Sequence, residues 1–163
     1  MKVLFFANTD WYLYNFRLGL TRFLREQGFE VMMMSPYGAY GPCIEAAGFR
    51  WHPLPMDRRS LSLVGELGLL RRILEIFRLE RPDMVHNFTI KCVVYGSLVA
   101  RWLGIDRRIN AVTGLGHVFT GDSPQARHLR PLVKALLKFA LVGSESRLIL
   151  QNADDVRFFP NSV

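Results

Sequence analysis

The sequence predicts a doubly wound α/β fold, one mainly parallel sheet with helices on both faces. Three observations carry this expectation. The strand-like segments, residues 2–7 and 31–34 above all, are unbroken apolar runs, as strands covered on both sides require. Segments with helical periodicity alternate with them along the whole chain. The first strand–helix–strand unit takes roughly thirty residues, the length of a βαβ crossover, and its connection is expected to be right-handed.

Residues 2–7 open the chain as a buried first strand. The run is too short for a signal peptide, and Asn8-Thr9-Asp10 interrupts it with residues that favour helix N-caps. The helix that follows places Leu13, Phe16, Leu20, Phe23 and Leu24 on one face, expected to be the core face, with Arg22, Arg25 and Glu26 opposite. Gly28 closes it, and residues 31–34 form the second strand, ended by Ser35-Pro36-Tyr37-Gly38. Residues 44–47 read as a short helix stopped by Gly48. Residues 50–56 read as a weak strand interrupted by Pro53 and Pro55.

A long amphipathic helix is expected from residue 62 to about 81, with Leu63, Leu67, Leu70, Leu74 and Phe77 as its stripe and Arg71, Arg72, Arg78 and Arg81 off it. Pro82 ends that helix, and residues 83–86 begin the next strand. His86-Asn87-Phe88-Thr89 stands at its carboxyl end. Residues 92–103 make a helix closed by Gly104, residues 108–112 the following strand, and Thr113 to Phe119 a glycine-rich turn. A last helix from about 126 to 142 carries Arg127, Arg130, Lys134 and Lys138 at spacings of three, four and four, one basic stripe. Leu129, Leu132, Val133, Leu136, Leu137 and Ala140 form its apolar face. Pro131 is expected in the first turn, where a missing N–H costs nothing. Residues 147–150 are the final strand.

The chain has 163 residues, half of them hydrophobic, which suits one domain with a full core. A net charge of +7 favours an anionic partner: nucleic acid, an anionic membrane surface or a phosphorylated ligand. The basic residues lack interleaved aromatics and match no nucleic-acid motif, so nucleic acid is not expected. The stripe of Arg127, Arg130, Lys134 and Lys138 fits peripheral contact with anionic lipid, the alternative being a solvated face. Cys43 and Cys92 match no metal spacing and read as two buried thiols of a reducing cytoplasm. No metal and no cofactor is expected. Gly114-Leu115-Gly116 is followed by Phe119 where a dinucleotide fingerprint needs a small residue, and there is no P-loop.

In an open parallel sheet, ligands bind outside the carboxyl ends of the strands. The residues expected there are His86, Asn87, Thr89 and Lys91 after one strand and Thr113, Gly114, Gly116 and His117 after the next. Asn8, Asp10 and Arg17 are expected to flank them. His86 reads as a general base, an acceptor ligand or a satisfied strand-end histidine. Lys91 reads as a phosphate neutraliser or an ordinary exposed lysine. Asn8 and Asp10 read as ligand contacts or helix caps, and His117 as a rim or structural residue. Arg17 lies near the apolar face, so it either snorkels or points at an anion.

Four segments, in order, resemble family 4 glycosyltransferases of the type that builds bacterial surface polysaccharides. They are Asn15-Phe16-Arg17 with Leu20, Leu24, Gly28, Glu30 and Val31; Arg81-Pro82-Asp83-Met84-Val85-His86; Asn110 through Phe119 with its Thr-Gly-Leu-Gly turn; and Leu150-Gln151-Asn152-Ala153-Asp154-Asp155. The resemblance implies a GT-B fold, two Rossmann-like domains facing a cleft, of which residues 1–163 are the N-terminal one. It implies that this domain binds a lipid-linked sugar acceptor in lipopolysaccharide or surface-polysaccharide synthesis. The nucleotide-sugar donor would sit on a C-terminal domain absent from this chain, so the isolated chain should not catalyse transfer. A cytoplasmic location, peripheral on the inner face of the plasma membrane, follows from the same resemblance. His86 falls on the first histidine of a His-x-His pattern, whereas Phe88 stands at the second, and Leu115 stands where relatives carry another histidine. The alternatives are a stand-alone flavodoxin-like module that binds an anion without catalysis, and a nucleotide-dependent enzyme such as a sugar-nucleotide epimerase.

Overall fold

The computed structural model describes residues 1–57, 63–113, 124–143 and 145–152. Six strands form one sheet: β1 (Lys2–Phe6), β2 (Glu30–Pro36), β3 (Arg50–Leu54), β4 (Met84–Phe88), β5 (Arg107–Val112) and β6 (Ser146–Leu150). All neighbours are parallel, in the order β3-β2-β1-β4-β5-β6. This is the doubly wound order, with a topological switch between β1 and β4. Pro53 is tolerated in β3 because β3 is an edge strand and needs no second ladder.

Alternation along β1 divides the core. Leu4 and Phe6 join Met32, Met34 and Val85 beneath α4 (Leu63–Glu80) and α5 (Ile90–Trp102). Val3 and Phe5 join Val31, Met33 and Phe88 beneath the N-terminal helix and α3 (Gly41–Ala46). A third cluster, built on Val93, Val94, Val112, Leu137 and Leu141, seats α6 (Pro124–Leu141) against α5 and β5.

Several expectations are corrected. The N-terminal helix is not one α-helix. It runs as α1 (Asp10–Tyr12), a π turn (Leu13–Arg17) and α2 (Leu18–Glu26). The π turn changes which residues face inward: Leu13, Leu18 and Thr21 are buried, while Phe16, Leu20 and Phe23 are exposed. Among the described residues of α4 the buried apolar ones are Leu69, Ile73, Ile76 and Phe77, and Leu67 is 68% exposed. Two buried-edge carboxylates in register with Ile73, seven residues to either side, fix this rotation. Glu66 accepts from Lys91 Nζ at 2.8 Å and Tyr95 Oη at 2.6 Å. Glu80 pairs with Arg50 at 2.5 Å and His52 at 2.9 Å. Pro131 lies inside α6 rather than in its first turn, and Leu132 is exposed rather than part of the apolar face. Cys43 is exposed. Only Cys92 is buried, and burial pushes its thiol up to about 12.

Candidate functional site

The switch point places the ends of β1 and β4 side by side, with Phe6 level with Asn87. Beyond β1, Thr9 caps α1 by accepting from the Tyr12 amide at 3.1 Å. Asp10 is buried, and its carboxylate accepts from the amides of Tyr40 at 2.7 Å and Gly41 at 3.0 Å, at the start of α3. This carboxylate ties two helices together. Gly38 is required beside it, since a Cβ there would stand 2.2 Å from Asp10 Oδ1.

Beyond β4, the chain passes through Thr89 at φ 71° and ψ 153°, a region that a β-branched residue rarely occupies. The Thr89 amide donates to Ala111 O at 3.0 Å and its carbonyl accepts from Val93 at 2.8 Å, so sheet and helix together hold this backbone in place. A strained, over-determined residue at a switch point is a mark of a working site.

The residues of β4 separate by parity. His86 and Phe88 face the N-terminal helix and stack with ring centroids 4.1 Å apart, with Phe5 5.1 Å from His86. Over them lies Arg17, the last residue of the π turn. Its guanidinium carbon is 4.6 Å from the Phe88 ring centroid and 5.0 Å from that of Tyr12. Arg17 Nε donates to Tyr12 Oη at 3.1 Å, and Nη2 donates to the same oxygen. The spacing of five between Tyr12 and Arg17 is that of the π turn, which brings the two side chains into line. No carboxylate pairs with Arg17 among the described residues.

Burial, reinforced by the Arg17 charge, lowers the His86 pKa to about 4, so the imidazole is neutral at pH 7. Its Nε2 is buried without a hydrogen-bond partner among the described residues. Orphaned buried polar atoms are rare in a folded protein and point to a missing partner.

Asn87 lies on the other face. It is fully buried, and its Nδ2 donates to Asn110 Oδ1 at 2.9 Å, an oxygen that also accepts from Ser97 Oγ at 2.8 Å. This network lies in the core beneath α5, and Asn87 Oδ1 itself is buried without a hydrogen-bond partner among the described residues. Lys91 turns toward α4, donating to Glu66 at 2.8 Å and to the Asp57 carbonyl at 2.8 Å. Thr113 follows β5, level with the same rim. Gly114, Gly116 and His117 lie outside the described residues, as does the side chain of Arg127. On α6, Lys134 and Lys138 are exposed and Arg130 is partly buried.

The geometry therefore brings Arg17 and His86 together with Phe88 and Tyr12, with Asn8 and Thr89 on the flanking loops. It does not bring Asn87 or Lys91 to them. Tyr12 escaped sequence reasoning because its contact depends on a five-residue turn that the 3.6-residue pattern does not contain. A cleft of about 540 Å³ lined by Phe77, Arg78, Arg81, Pro82, Leu103 and Ile105 lies where β4 and β5 begin, at the opposite end of the sheet.

Residues 2–152 match the family described as Glycosyl transferase 4-like. The chain belongs to that family. A curated relative, the N,N'-diacetylbacillosaminyl-diphospho-undecaprenol alpha-1,3-N-acetylgalactosaminyltransferase of Campylobacter jejuni, is 22% identical over 161 residues, 99% of this chain and 43% of the relative. This glycosyl transferase 4-like chain thus spans less than half the length of the curated relative it matches. Among solved structures, a spinosyn forosaminyltransferase aligns with TM-score 0.54 and 22% identity over 86% of this chain and 41% of its own. The UDP-GlcNAc 2-epimerase of Neisseria meningitidis aligns with TM-score 0.55 and 13% identity over 92% and 46%. At such identities these likenesses show the fold alone, one half of the GT-B architecture that glycosyltransferases and these epimerases share. No described helix is long and apolar enough to cross a membrane.

Proposed function

We propose that this domain is the acceptor-binding half of a retaining glycosyltransferase that extends a lipid-linked glycan in bacterial surface-polysaccharide synthesis. The observation that carries the proposal is the Arg17–His86 pair at the switch point. A guanidinium held by two aromatic faces, without a carboxylate, keeps its charge available for an anion. The diphosphate of a lipid-linked acceptor is such an anion. His86 beside it is neutral, with a ring nitrogen available to a sugar hydroxyl. Thr89, Asn8 and Thr113 flank the same rim, and Gly114, Gly116 and His117 are proposed to complete it.

In the transfer itself, the bond between the donor's anomeric carbon and its phosphate oxygen breaks, and the nucleotide diphosphate departs with that electron pair. The acceptor hydroxyl bonds to the anomeric carbon and passes its proton to the departing diphosphate oxygen. Arg17 and His86 contribute by orienting the acceptor. A pKa near 4 makes His86 a weak base, so its part is a hydrogen bond rather than removal of the proton. The donor and its leaving group belong to a second domain.

Calorimetric titration with a short-chain prenyl-diphosphate sugar tests this reading. The chain should bind it, and Arg17→Ala should weaken binding by roughly thirtyfold, about 2 kcal/mol. His86→Ala should weaken it less. Equal affinity of wild type and Arg17→Ala would refute the assignment. Turnover of any sugar nucleotide by the isolated chain would refute the division of labour between two halves.

A further inference from the structure

The π turn that aims Arg17 at the crevice also produces an outward ridge. Trp11, Phe16, Leu20 and Phe23 are 48%, 57%, 38% and 55% exposed. Their spacings are five, four and three; the five spans the π turn and sets Trp11 against Phe16, with ring centroids 5.2 Å apart and nearly perpendicular. The inward positions are taken by Leu13, Leu18 and Thr21, so the ridge is surplus to the core. Scattered exposed apolar residues need no explanation, but four in a continuous line, two of them in ring contact, mark a contact surface.

The chemistry of the ridge favours one occupant. Trp, Phe and Leu are residues that settle at the boundary between lipid headgroups and acyl chains. The whole chain carries +7, the sign that an anionic headgroup layer attracts. The ridge is also continuous with the candidate site, since Trp11 directly follows the rim residues of β1 and Phe16 directly precedes Arg17.

We propose that the Trp11–Phe16–Leu20–Phe23 ridge inserts into the interfacial layer of an anionic bilayer, and that it, rather than the basic stripe of α6, is the main seat of the domain on lipid. The inference rests on the acceptor reading above for the identity of that membrane as the one bearing the acceptor. Its test uses vesicles that contain no acceptor. The chain is co-sedimented with vesicles of phosphatidylcholine alone and with one-third phosphatidylglycerol. Wild type should bind the anionic vesicles. Phe16→Ser/Phe23→Ser should lower the partition coefficient roughly tenfold or more, because insertion scales with buried apolar area. Lys134→Gln/Lys138→Gln should lower it less than about threefold. Unchanged circular dichroism and melting would show that the serine variant is folded. Quenching of tryptophan fluorescence by brominated lipid should fall in Trp11→Phe.

Absence of vesicle binding by wild type, or a larger loss in the lysine variant than in the serine variant, would overturn the proposal. So would a wild-type dimer that the serine variant converts to monomer. Loss of acceptor binding in Arg17→Ala with vesicle binding intact upholds both readings. Vesicle binding alongside an Arg17→Ala variant of undiminished acceptor affinity overturns the acceptor reading alone.

Discussion

The two faces of β4 offer a controlled contrast within three consecutive residues. Asn87 looks toward α5 and enters a network with Ser97 and Asn110 that no solvent reaches. His86 and Phe88 look the other way and meet a cation without a counter-charge and a ring nitrogen without a partner. Both faces carry polar groups inside a sheet, where each unpaired group costs free energy. The α5 face meets part of that cost through Asn87 Nδ2, Ser97 and Asn110, and leaves Asn87 Oδ1 without a partner among the described residues. The other leaves His86 Nε2 without a partner, close to the Arg17 guanidinium, which no carboxylate among the described residues pairs. Each face thus keeps an unpartnered polar atom, and what distinguishes them is the neighbouring charge: a guanidinium beside His86, neutral amides and a hydroxyl beside Asn87.

The contrast is broken most severely on the sealed side. Alanine normally favours a helix over glycine by about 1 kcal/mol. At Gly96 the added Cβ would stand 2.0 Å from Asn87 Oδ1, which its network prevents from moving. Gly96→Ala should therefore destabilise the fold by about 3 kcal/mol in urea denaturation. Combining it with Asn87→Ala should recover part of that loss through a measurable coupling energy. Full additivity would show that the clash is not with Asn87.

The open side should respond to pH. His86 titrates near 4 when folded and near 6.5 when unfolded, so its contribution is full above pH 6.5 and declines as pH falls toward 4. Between pH 7.5 and pH 5 the loss should be about 2 kcal/mol. His52, also lowered by burial, adds a loss of the same sign. Urea melts at the two pH values, compared between wild type and His86→Phe, isolate the His86 part; an identical pH dependence in both would place the titration elsewhere.

Smaller effects belong to the rim. Thr89→Gly relieves the positive φ and should stabilise the fold by up to about 1 kcal/mol, the relief exceeding the extra chain entropy of glycine. Thermal melting reads the sign, and a drop in Tm would mean that the Thr89 side chain contributes more than its backbone costs. Smallest of all, Arg17→Leu should change stability by less than about 1 kcal/mol, the worth of a half-exposed cation–π contact. A larger loss in denaturation would make Arg17 a structural residue and remove its claim to an anion.

Much of the architecture was legible because it follows from short-range rules. Unbroken apolar runs gave β1 and β2, Gly28, Gly48 and Gly104 each adopt the positive φ of a helix stop, and Pro82 separates α4 from β4. The rim was legible as a location, since ligand crevices follow from topology. Its membership was not, because Lys91 and Asn87 occupy the same few residues as His86 yet reach Glu66 and Asn110 instead. In α4 two apolar stripes were on offer, and carboxylate partners from distant segments chose between them.

By itself the sequence determined the six strands, their crossovers and the family likeness carried by its motifs, because those depend on periodicity and on residues adjacent in the chain. The tertiary structure alone decided that Leu13–Arg17 winds as a π turn, and with it which residues became core, which became ridge and where Arg17 points. One additional residue per turn rotates everything before it relative to everything after it. Leu13 and Leu18 pack against the sheet and Arg17 lies over Phe88 in that rotation, contacts between residues distant in the chain.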